Sequence, residues 1–158
     1  MGIESDLVAI LRERGETVAF CESLTAGLAA ASVASVPGAS AVLRGGLVTY
    51  ATEVKAHFLH TSVDCLEEQG VVSADTAVEM AHAACMETGA DWGIGLTGVA
   101  GPDLQEGKPA GTVYVGLYRR DVVKRGVLIE LDEGERNAIR SAAVEAALSL
   151  LLSTIQEK

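Results

Sequence analysis

The sequence predicts a three-layer α/β/α domain built on a mixed, largely parallel sheet. Short apolar segments alternate with helical segments in the first half of the chain, and two adjacent strand segments follow in the second half. Alternating strands and helices favour parallel strands joined by crossover helices, whereas adjacent strands favour an antiparallel pair. The length of 158 residues predicts one domain, over residues 1–158.

The first elements are predicted from apolar periodicity and from residues that end helices. Apolar residues at i, i+4, i+7 and i+8 from Ile3 predict a helix that ends near Gly15. A strand is predicted at 17–21, followed by a helix rich in Ala and Ser at about 23–35, which Pro37-Gly38 stops.

The remaining elements are predicted in the same way, with serine as a helix N-cap and glycine as a helix end. They are a strand at 47–50, a short helix at 52–59, a longer helix from Ser73 to about Glu87, a strand at 92–97, a loop at 99–111, a strand pair at 112–118 and 123–131, and a last helix at about 135–155.

Composition and charge limit the class of function. Twelve basic and 22 acidic residues give a net charge of −10, which argues against broad binding to nucleic acid or to anionic lipid. Cys21, Cys65 and Cys85 lack the spacing of a disulfide framework, so reduced thiols are expected. The N-terminus has no signal-type apolar run, and the longest apolar segment, 24–36, is too short to span a bilayer. We therefore expect a cytoplasmic protein without nucleic-acid or membrane partners.

Ser23 is the first residue of chemical interest, because it follows a predicted strand and should begin a helix. A serine in this position commonly serves as a helix N-cap. Its neighbours Glu22 and Thr25, and the free N–H groups of a helix start, also fit an anion-binding or catalytic role. Ser40 lies in the Pro-Gly-Ala-Ser turn before the next strand and can be an ordinary turn residue.

Tyr50 and Lys55 follow the second predicted strand and complete a possible catalytic group with the two serines. A lysine acts as a general base only when it is neutral, which requires a pKa about 3 units below its usual value, or roughly 4 kcal/mol of unfavourable environment for the charge. A phenol or a second serine could relay the proton. The two serines, Tyr50 and Lys55 could together act as the serine–lysine variants of the catalytic triad do. Each of these residues alone could be an ordinary surface or turn residue.

The segment GIGLTG at 93–98 matches a dinucleotide-binding pattern in form only. That pattern needs a helix directly after the glycines, and the prolines and glycines of 99–111 exclude one. A strand that ends in a glycine-rich loop is the better interpretation, and the N–H groups of the loop could form an oxyanion hole or a phosphate nest. Thr97 would then face the site, or be an ordinary β-branched strand residue.

Arg136 and Arg140 lie one turn apart near the start of the last predicted helix. They can clamp a phosphate, or they can pair with Glu133 or Glu135 on the surface, and the sequence leaves both possibilities open. The three histidines, His57, His60 and His82, do not have the spacing of a metal site. No metal and no cofactor are expected.

Five segments taken together resemble the CinA C-terminal domain family, over about Val18 to Arg140. They are CESLTAG, PGASAVLRGGLVTYATEVK, GVVSADTAVEMA, GLTGVAGPD and KPAGTVYVGL, in the order of that family. The resemblance implies a nicotinamide-nucleotide amidase, a hydrolase that converts nicotinamide mononucleotide to nicotinate mononucleotide and ammonia in pyridine nucleotide salvage. In longer relatives this domain follows a separate N-terminal domain, so the chain looks like the standalone form.

The resemblance also implies roles for individual residues. The catalytic residues it implies are Ser23, Ser40, Tyr50, Lys55 and Thr97, and it implies one substrate-binding arginine at the start of the last helix, which is either Arg136 or Arg140. The residue pattern itself adds Glu22, Thr25, Gly98 and Gly101 as expected substrate-binding residues. The sequence departs from the family at ESLTAG, where ESCTGG is usual, so Leu24 replaces a cysteine and Ala26 a glycine. A bulkier residue beside Ser23 is expected to reshape the pocket.

The resulting hypothesis is an amidohydrolase in which a serine attacks a carboxamide and Lys55 takes the proton. Ser40 is preferred over Ser23 as the nucleophile at this point. The partner is a small-molecule nucleotide, and a homo-oligomer is compatible with the small size and the Ala-rich helices. Two alternatives stay open: a nucleotide-binding module without catalysis, and an interaction protein linked to competence or DNA damage.

Overall fold

One mixed sheet of five strands organises the computed structural model, which describes residues 2–158. The strand order is β2-β1-β3-β4-β5. Strand β1 pairs in parallel with β2 and β3, whereas β3–β4 and β4–β5 are antiparallel. The strands are β1 (Val18–Glu22), β2 (Leu43–Val48), β3 (Trp92–Gly98), β4 (Thr112–Arg119) and β5 (Val123–Glu130).

Helices cover both faces of this sheet, so the predicted α/β/α fold class is confirmed. α1, α2 and α6 pack on one face, and α5 packs on the other. The helices are α1 (Ile3–Arg14), α2 (Leu28–Ala34), α3 (Thr52–Phe58), α4 (Val63–Gln69), α5 (Ala74–Thr88) and α6 (Arg136–Gln156), with one 3₁₀ turn at Ala39–Ala41.

The two faces are packed in different ways. The face under α1, α2 and α6 holds the larger apolar side chains, including the fully buried Phe20 and Trp92. On the other face α5 approaches the strands closely, because a Cβ on Gly95 or Gly116 would overlap the carbonyl of Ala77. The glycines of the GIGLTG segment therefore allow α5 to pack closely against the sheet. No helix follows this segment directly, as a dinucleotide-binding pattern would require.

α6 has the length and composition of a membrane-spanning helix, with 21 residues and a mean hydropathy of 1.5 over its most apolar window. Its buried residues, from Ile139 to Ile155, lie in the same apolar core as those of α1 and β3. The apolar character of α6 is thus explained by its cover of the sheet.

Most predicted elements are confirmed, and the exceptions are the start of α2, the start of β2 and the helix α4. The helix predicted at 23–35 begins only at Leu28, because Ala26 and Gly27 have φ angles of 47° and 99° and interrupt helical backbone. β2 begins at Leu43, four residues earlier than predicted. α4 was not predicted at all.

Candidate functional site

The candidate site lies where the parallel strands end. Glu22, the last residue of β1, pairs with Val48 of β2 and with Leu96 of β3, so the carboxyl ends of the three strands lie side by side. Such an edge is the usual location of ligand sites in open α/β sheets. Ser23 directly follows β1, and its N–H donates to the carbonyl of Leu96 at 3.0 Å.

Lys55 enters this edge from α3 and is nearly inaccessible, with 1% of its surface exposed. Its Nζ lies 3.3 Å from Oγ of Ser23 and 3.4 Å from Oγ1 of Thr97. Thr97, also 1% exposed, donates its hydroxyl proton to the carbonyl of Val71 at 3.0 Å. Thr97 therefore presents a lone pair to Lys55 and holds the amine beside Ser23.

Burial changes the acid–base chemistry of this amine. Removal from water lowers the pKa of Lys55 from its usual 10.5 to about 8, and the nearby acidic groups of Cys21 and, to a smaller extent, Glu106 oppose the shift. A substantial fraction of the amine is thus neutral near pH 8. The neutral amine can accept the proton of the Ser23 hydroxyl.

The cysteines are not organised for nucleophilic chemistry. Burial raises the pKa of Cys21 to about 11 and that of Cys85 to about 12, so both thiols stay protonated. The Sγ of Cys21 lies 3.6 Å from Oγ1 of Thr49 beneath the site. Cys65 is exposed, away from the site.

An open cavity of about 410 Å³ leads to Ser23 and Lys55. Arg136, at the start of α6, stands at its wall: Nη2 donates to the hydroxyl of Tyr50 at 2.7 Å, and Nη1 donates to the carbonyl of Gly101. The other residues that line it are Leu24, Thr52, Val71, Gly98, Val99, Ala100, Pro102, Asp103, Leu104 and Gln105. The Arg136 guanidinium and the Lys55 amine line the same cavity, which makes it suited to an anionic ligand.

Arg140 has a different role and lies outside the cavity. Its Nε donates to the carbonyl of Leu24 at 2.8 Å, and its Nη2 donates to the carbonyl of Thr25 at 3.4 Å. Arg140 therefore fixes the backbone that follows Ser23. Within residues 2–158, neither Arg136 nor Arg140 forms an ion pair with Glu133 or Glu135.

Two predicted substrate-binding residues are buried away from the cavity. The carboxylate of Glu22 accepts hydrogen bonds from the N–H groups of Ala29 at 2.8 Å and Ala30 at 3.1 Å, so Glu22 occupies the start of α2 in place of a bound anion. Thr25 is fully buried and does not line the cavity. The prediction that Ser23 begins this helix is also wrong, since α2 starts five residues later.

Ser40 is separated from the other predicted catalytic residues. It is exposed in the 3₁₀ turn before β2, whereas Tyr50 and Lys55 follow the end of β2. Six strand residues at about 3.3 Å each place about 20 Å between the two ends. Within this chain Ser40 cannot reach Lys55, so the structure does not support the expected preference for Ser40; the serine that lies beside the Lys55 amine is Ser23.

The two glycines of the predicted loop do reach the cavity. Gly98 ends β3, and a Cβ there would lie 2.6 Å from the carbonyl of Thr112, so packing against β4 requires a glycine. Gly101 has a φ of 81° and supplies the carbonyl that accepts from Arg136. Both glycines therefore shape the cavity wall.

Glu106 is a site residue that sequence reasoning missed. Its two carboxylate oxygens accept from the N–H groups of Val71 at 2.9 Å and Val72 at 2.8 Å. Glu106 thus ties the glycine-rich loop to the segment whose carbonyl receives the Thr97 proton. The sequence does contain this carboxylate inside the predicted loop, in Gln105-Glu106-Gly107-Lys108. The pattern does not indicate which backbone groups the carboxylate would bind.

Metal-ligating side chains are not gathered in this part of the molecule. Among residues 2–158 no group of three or more His, Cys, Asp and Glu side chains is placed to hold a metal ion. The chemistry available at the site comes from the amine, one guanidinium, the Asp103 carboxylate, backbone groups and the hydroxyls of Ser23, Tyr50, Thr52 and Thr97.

Comparisons with known proteins identify the family of the chain. The family model of the CinA C-terminal domain matches residues 2–155. A CinA-like protein of Frankia casuarinae is 45% identical over 150 residues, which are 94% of this chain and 34% of that protein. The chain thus spans about a third of the length of the curated relatives it matches.

Solved structures share the whole fold. A CinA superfamily protein from Klebsiella pneumoniae superposes with a TM-score of 0.92 at 27% identity, over 99% of this chain and 97% of that one. The competence/damage inducible protein CihA from Agrobacterium tumefaciens gives 0.89 at 31% identity, over 98% and 96%. By its sequence match and its fold, the chain belongs to the CinA C-terminal domain family.

Proposed function

We propose that this protein is a serine amidohydrolase that converts nicotinamide mononucleotide to nicotinate mononucleotide and ammonia. The observation that carries the proposal is the buried Lys55 amine, 3.3 Å from the Ser23 hydroxyl at the end of an open cavity. A general base must lie within reach of the proton it removes and must be neutral near the working pH. Lys55, with a pKa lowered to about 8, meets both conditions.

In the proposed first half-reaction, Oγ of Ser23 attacks the carboxamide carbon while its proton passes to Nζ of Lys55. The carbonyl oxygen becomes an oxyanion, and the ammonium of Lys55 then protonates the departing nitrogen. The C–N bond breaks, ammonia leaves, and an acyl ester remains on Ser23. Thr97 accepts a hydrogen bond from Lys55 throughout, which keeps the amine aimed at the reacting atoms.

In the second half-reaction, Lys55 removes a proton from a water molecule that attacks the ester. The Ser23 oxygen then leaves and regains a proton from Lys55. The enzyme returns to its starting state, and the products are a carboxylic acid and ammonia. Both half-reactions use Lys55 as the base, so the titration of this one amine is expected to control the pH dependence of turnover.

Backbone N–H groups beside Ser23 are available for the oxyanion. The N–H groups of Leu24 and Thr25, and those of Ala100 and Gly101 in the glycine-rich loop, have no acceptor among residues 2–158. Arg140 holds the carbonyl of Leu24, which shares a peptide plane with the Thr25 N–H. The plane of the Leu24 N–H contains the carbonyl of Ser23, which accepts from the Ala26 N–H at 3.1 Å, so both donors are fixed before substrate binds. Preorganised donors of this kind are worth about 10²–10³ in rate.

Arg136 is the proposed partner of the substrate phosphate. Its guanidinium lies on the cavity wall, and Tyr50 orients it through the hydroxyl at 2.7 Å. The start of α6 itself is not available to an anion, because the Glu135 carboxylate accepts from the N–H groups of Asn137 and Ala138 at 3.0 and 3.1 Å. The phosphate therefore depends on the arginine side chain.

The direct test is ammonia release from nicotinamide mononucleotide by the purified protein, with and without a chelator. We expect turnover that the chelator does not reduce and that Lys55→Ala abolishes. Thermal stabilisation by the nucleotide without ammonia release would instead identify a binding module. An unchanged melting temperature and no ammonia would reject both.

A further inference from the structure

Glu22 carries a buried carboxylate that the proposed proton transfers do not use, although it directly precedes Ser23. Only 1% of its surface is exposed, and among residues 2–158 no basic side chain forms an ion pair with it. A buried carboxylate without a cation costs free energy unless other donors satisfy its oxygens. The donors around this carboxylate therefore indicate what it contributes to the site.

Each oxygen of Glu22 accepts one backbone N–H group at the start of α2. Oε1 accepts from Ala29 at 2.8 Å, and Oε2 accepts from Ala30 at 3.1 Å. A glutamine would offer one carbonyl oxygen and one NH₂ group, and the NH₂ group would face an N–H group that also needs an acceptor. Both bonds together therefore require a carboxylate.

These two bonds close a loop that contains the proposed nucleophile. The backbone of Glu22 is fixed in the sheet, because its carbonyl accepts from the N–H of Thr49 at 2.8 Å. Its side chain thus ties the end of β1 to the start of α2 across residues 23–28, and we call this pair of bonds the carboxylate bridge. Ser23 is the first residue of the bridged segment, so the bridge acts directly on the position of its hydroxyl.

The bridged segment is held in a conformation that is unfavourable for one of its residues. Ala26 has a φ of 47°, in the left-handed region that a Cβ disfavours, and its side chain is exposed, so burial of the methyl group does not offset this cost. Within the segment, the N–H of Ala26 donates to the carbonyl of Ser23 at 3.1 Å, and the N–H of Leu28 donates to the carbonyl of Thr25 at 2.9 Å. The carboxylate bridge joins the two ends of this bent segment, and its loss is expected to let the segment relax.

We propose that Glu22 is a positioning residue for the reaction proposed above. Its carboxylate bridge keeps the Ser23 hydroxyl beside the Lys55 amine, at the observed 3.3 Å. The bridge also keeps the segment in the form that leaves the N–H groups of Leu24 and Thr25 free for the oxyanion. The nucleophile and these donors stabilise the transition state more than the bound substrate, so loss of the bridge lowers kcat rather than substrate affinity.

The test compares Glu22→Gln with Glu16→Gln in the hydrolysis of nicotinamide mononucleotide. Glu16 is a matched control, since it is also buried and accepts from Nε1 of Trp92 at 2.7 Å, but it precedes β1 at the opposite end of that strand. For Glu22→Gln we expect kcat to fall about 10²-fold and KM to stay within about threefold. Glu16→Gln should leave both constants unchanged, although it lowers the melting temperature.

Glu22→Asp is the second variant, in case Glu22→Gln does not fold. It keeps the charge and both oxygens but draws them back by one methylene, so it cannot hold both N–H groups at the observed distances. We expect kcat to fall about tenfold with KM again nearly unchanged. Circular dichroism establishes that each variant is folded at the assay temperature. A wild-type kcat in a folded Glu22 variant, or equal losses of kcat in Glu22→Gln and Glu16→Gln, would overturn the positioning role.

Labelling by a sulfonyl fluoride gives a measurement that does not depend on the natural substrate. The Ser23 oxygen displaces fluoride from sulfur, the proton passes to Lys55 and then to water, and a sulfonate ester remains that mass spectrometry locates. We expect the wild type and Glu16→Gln to be labelled at equal rates, and Glu22→Gln about tenfold or more slowly. Labelling of the wild type without ammonia release would reject the proposed substrate, and the labelling rates alone would then decide the role of Glu22. A wild type with neither labelling nor turnover would overturn both proposals.

Discussion

The Nζ of Lys55 lies 3.3 Å from the Oγ of Ser23, although 32 positions separate the two residues in the chain. The contact arises because β1 and β2 are parallel neighbours and each residue follows the carboxyl end of one of them. The surrounding strands and loop exclude water, and the pKa of the amine falls to about 8 as a result. A buried amine beside a hydroxyl has consequences for rate, for stability and for the choice of nucleophile.

The rate of amide hydrolysis should rise with pH through the titration of Lys55. The base works only when neutral, and its pKa is lowered to about 8, so kcat/KM should increase up to about pH 8 and then level. A series from about pH 6 to pH 10 with nicotinamide mononucleotide measures this. A profile that is flat across pH 8 would contradict the role of Lys55 as the base.

Replacing Lys55 by Met should make the protein more stable at neutral pH. The folded state binds the proton more weakly than the unfolded chain, so the lysine costs stability below pH 8, and this cost disappears as pH rises from about 8 to its usual pKa of 10.5. The gain at pH 7 should be up to about 3 kcal/mol. Urea unfolding at pH 7 and pH 10 measures it, with the exposed Lys158→Met as the control; an equal gain at both pH values would contradict the burial of a charge.

The two serines should respond very differently to removal of the hydroxyl. Ser23→Ala should reduce kcat by about 10³ or more, because the nucleophile is lost. Ser40→Ala should stay within about threefold of the wild type, since its exposed side chain lies at the other end of β2. Mass spectrometry of a trapped acyl-enzyme locates the ester, and an acyl group on Ser40 would reverse the assignment.

Arg136→Ala should weaken binding of the phosphate and little else. A charge-assisted hydrogen bond contributes about 1.5–3 kcal/mol, so KM for nicotinamide mononucleotide should rise about 10- to 100-fold. Nicotinamide riboside, which lacks the phosphate, should be hydrolysed by the variant and the wild type at similar rates. A matched change at Arg140, which holds the carbonyls of Leu24 and Thr25, should instead lower kcat for both substrates.

Glu106→Gln should move the pH profile to lower pH. The Glu106 carboxylate favours the charged form of Lys55, so its neutralisation should lower the Lys55 pKa below about 8. The variant also loses one acceptor for the N–H groups of Val71 and Val72, at a cost of about 1–3 kcal/mol in the free energy of unfolding. An unshifted kcat/KM profile in a folded variant would show that Glu106 does not influence the base.

Local signals predicted much of the fold. Gly15 and Gly89 end α1 and α5 in the left-handed conformation, and Ser73 caps α5 by accepting from the N–H of Thr76 at 3.2 Å. These features depend on residues within one turn of each other, so a sequence pattern contains all the information they need. The strand pair β4–β5 was predicted for the same reason, since its turn connects adjacent segments.

Predictions failed where a distant group replaced a local one. The sequence places a serine at a helix start, but the carboxylate of Glu22 binds the N–H groups of Ala29 and Ala30 instead. The strand predicted from residue 47 begins at Leu43, and its Gly46 lies against Ala30, where a Cβ would meet that methyl group at 3.2 Å. Both outcomes depend on how α2 packs on the sheet, which no short pattern specifies.

The sequence by itself determined which residue types are available: serines, a tyrosine, a lysine and arginines near the ends of regular elements. Only the tertiary structure decided which serine meets the lysine. Ser40 is 15 positions from Lys55 and Ser23 is 32, yet the nearer residue in sequence is the farther one in space. The physical reason is that β2 lies between Ser40 and Lys55, so Ser40 is near the amino end of the strand and Lys55 near its carboxyl end. Parallel pairing, in contrast, brings the carboxyl ends of β1 and β2 together.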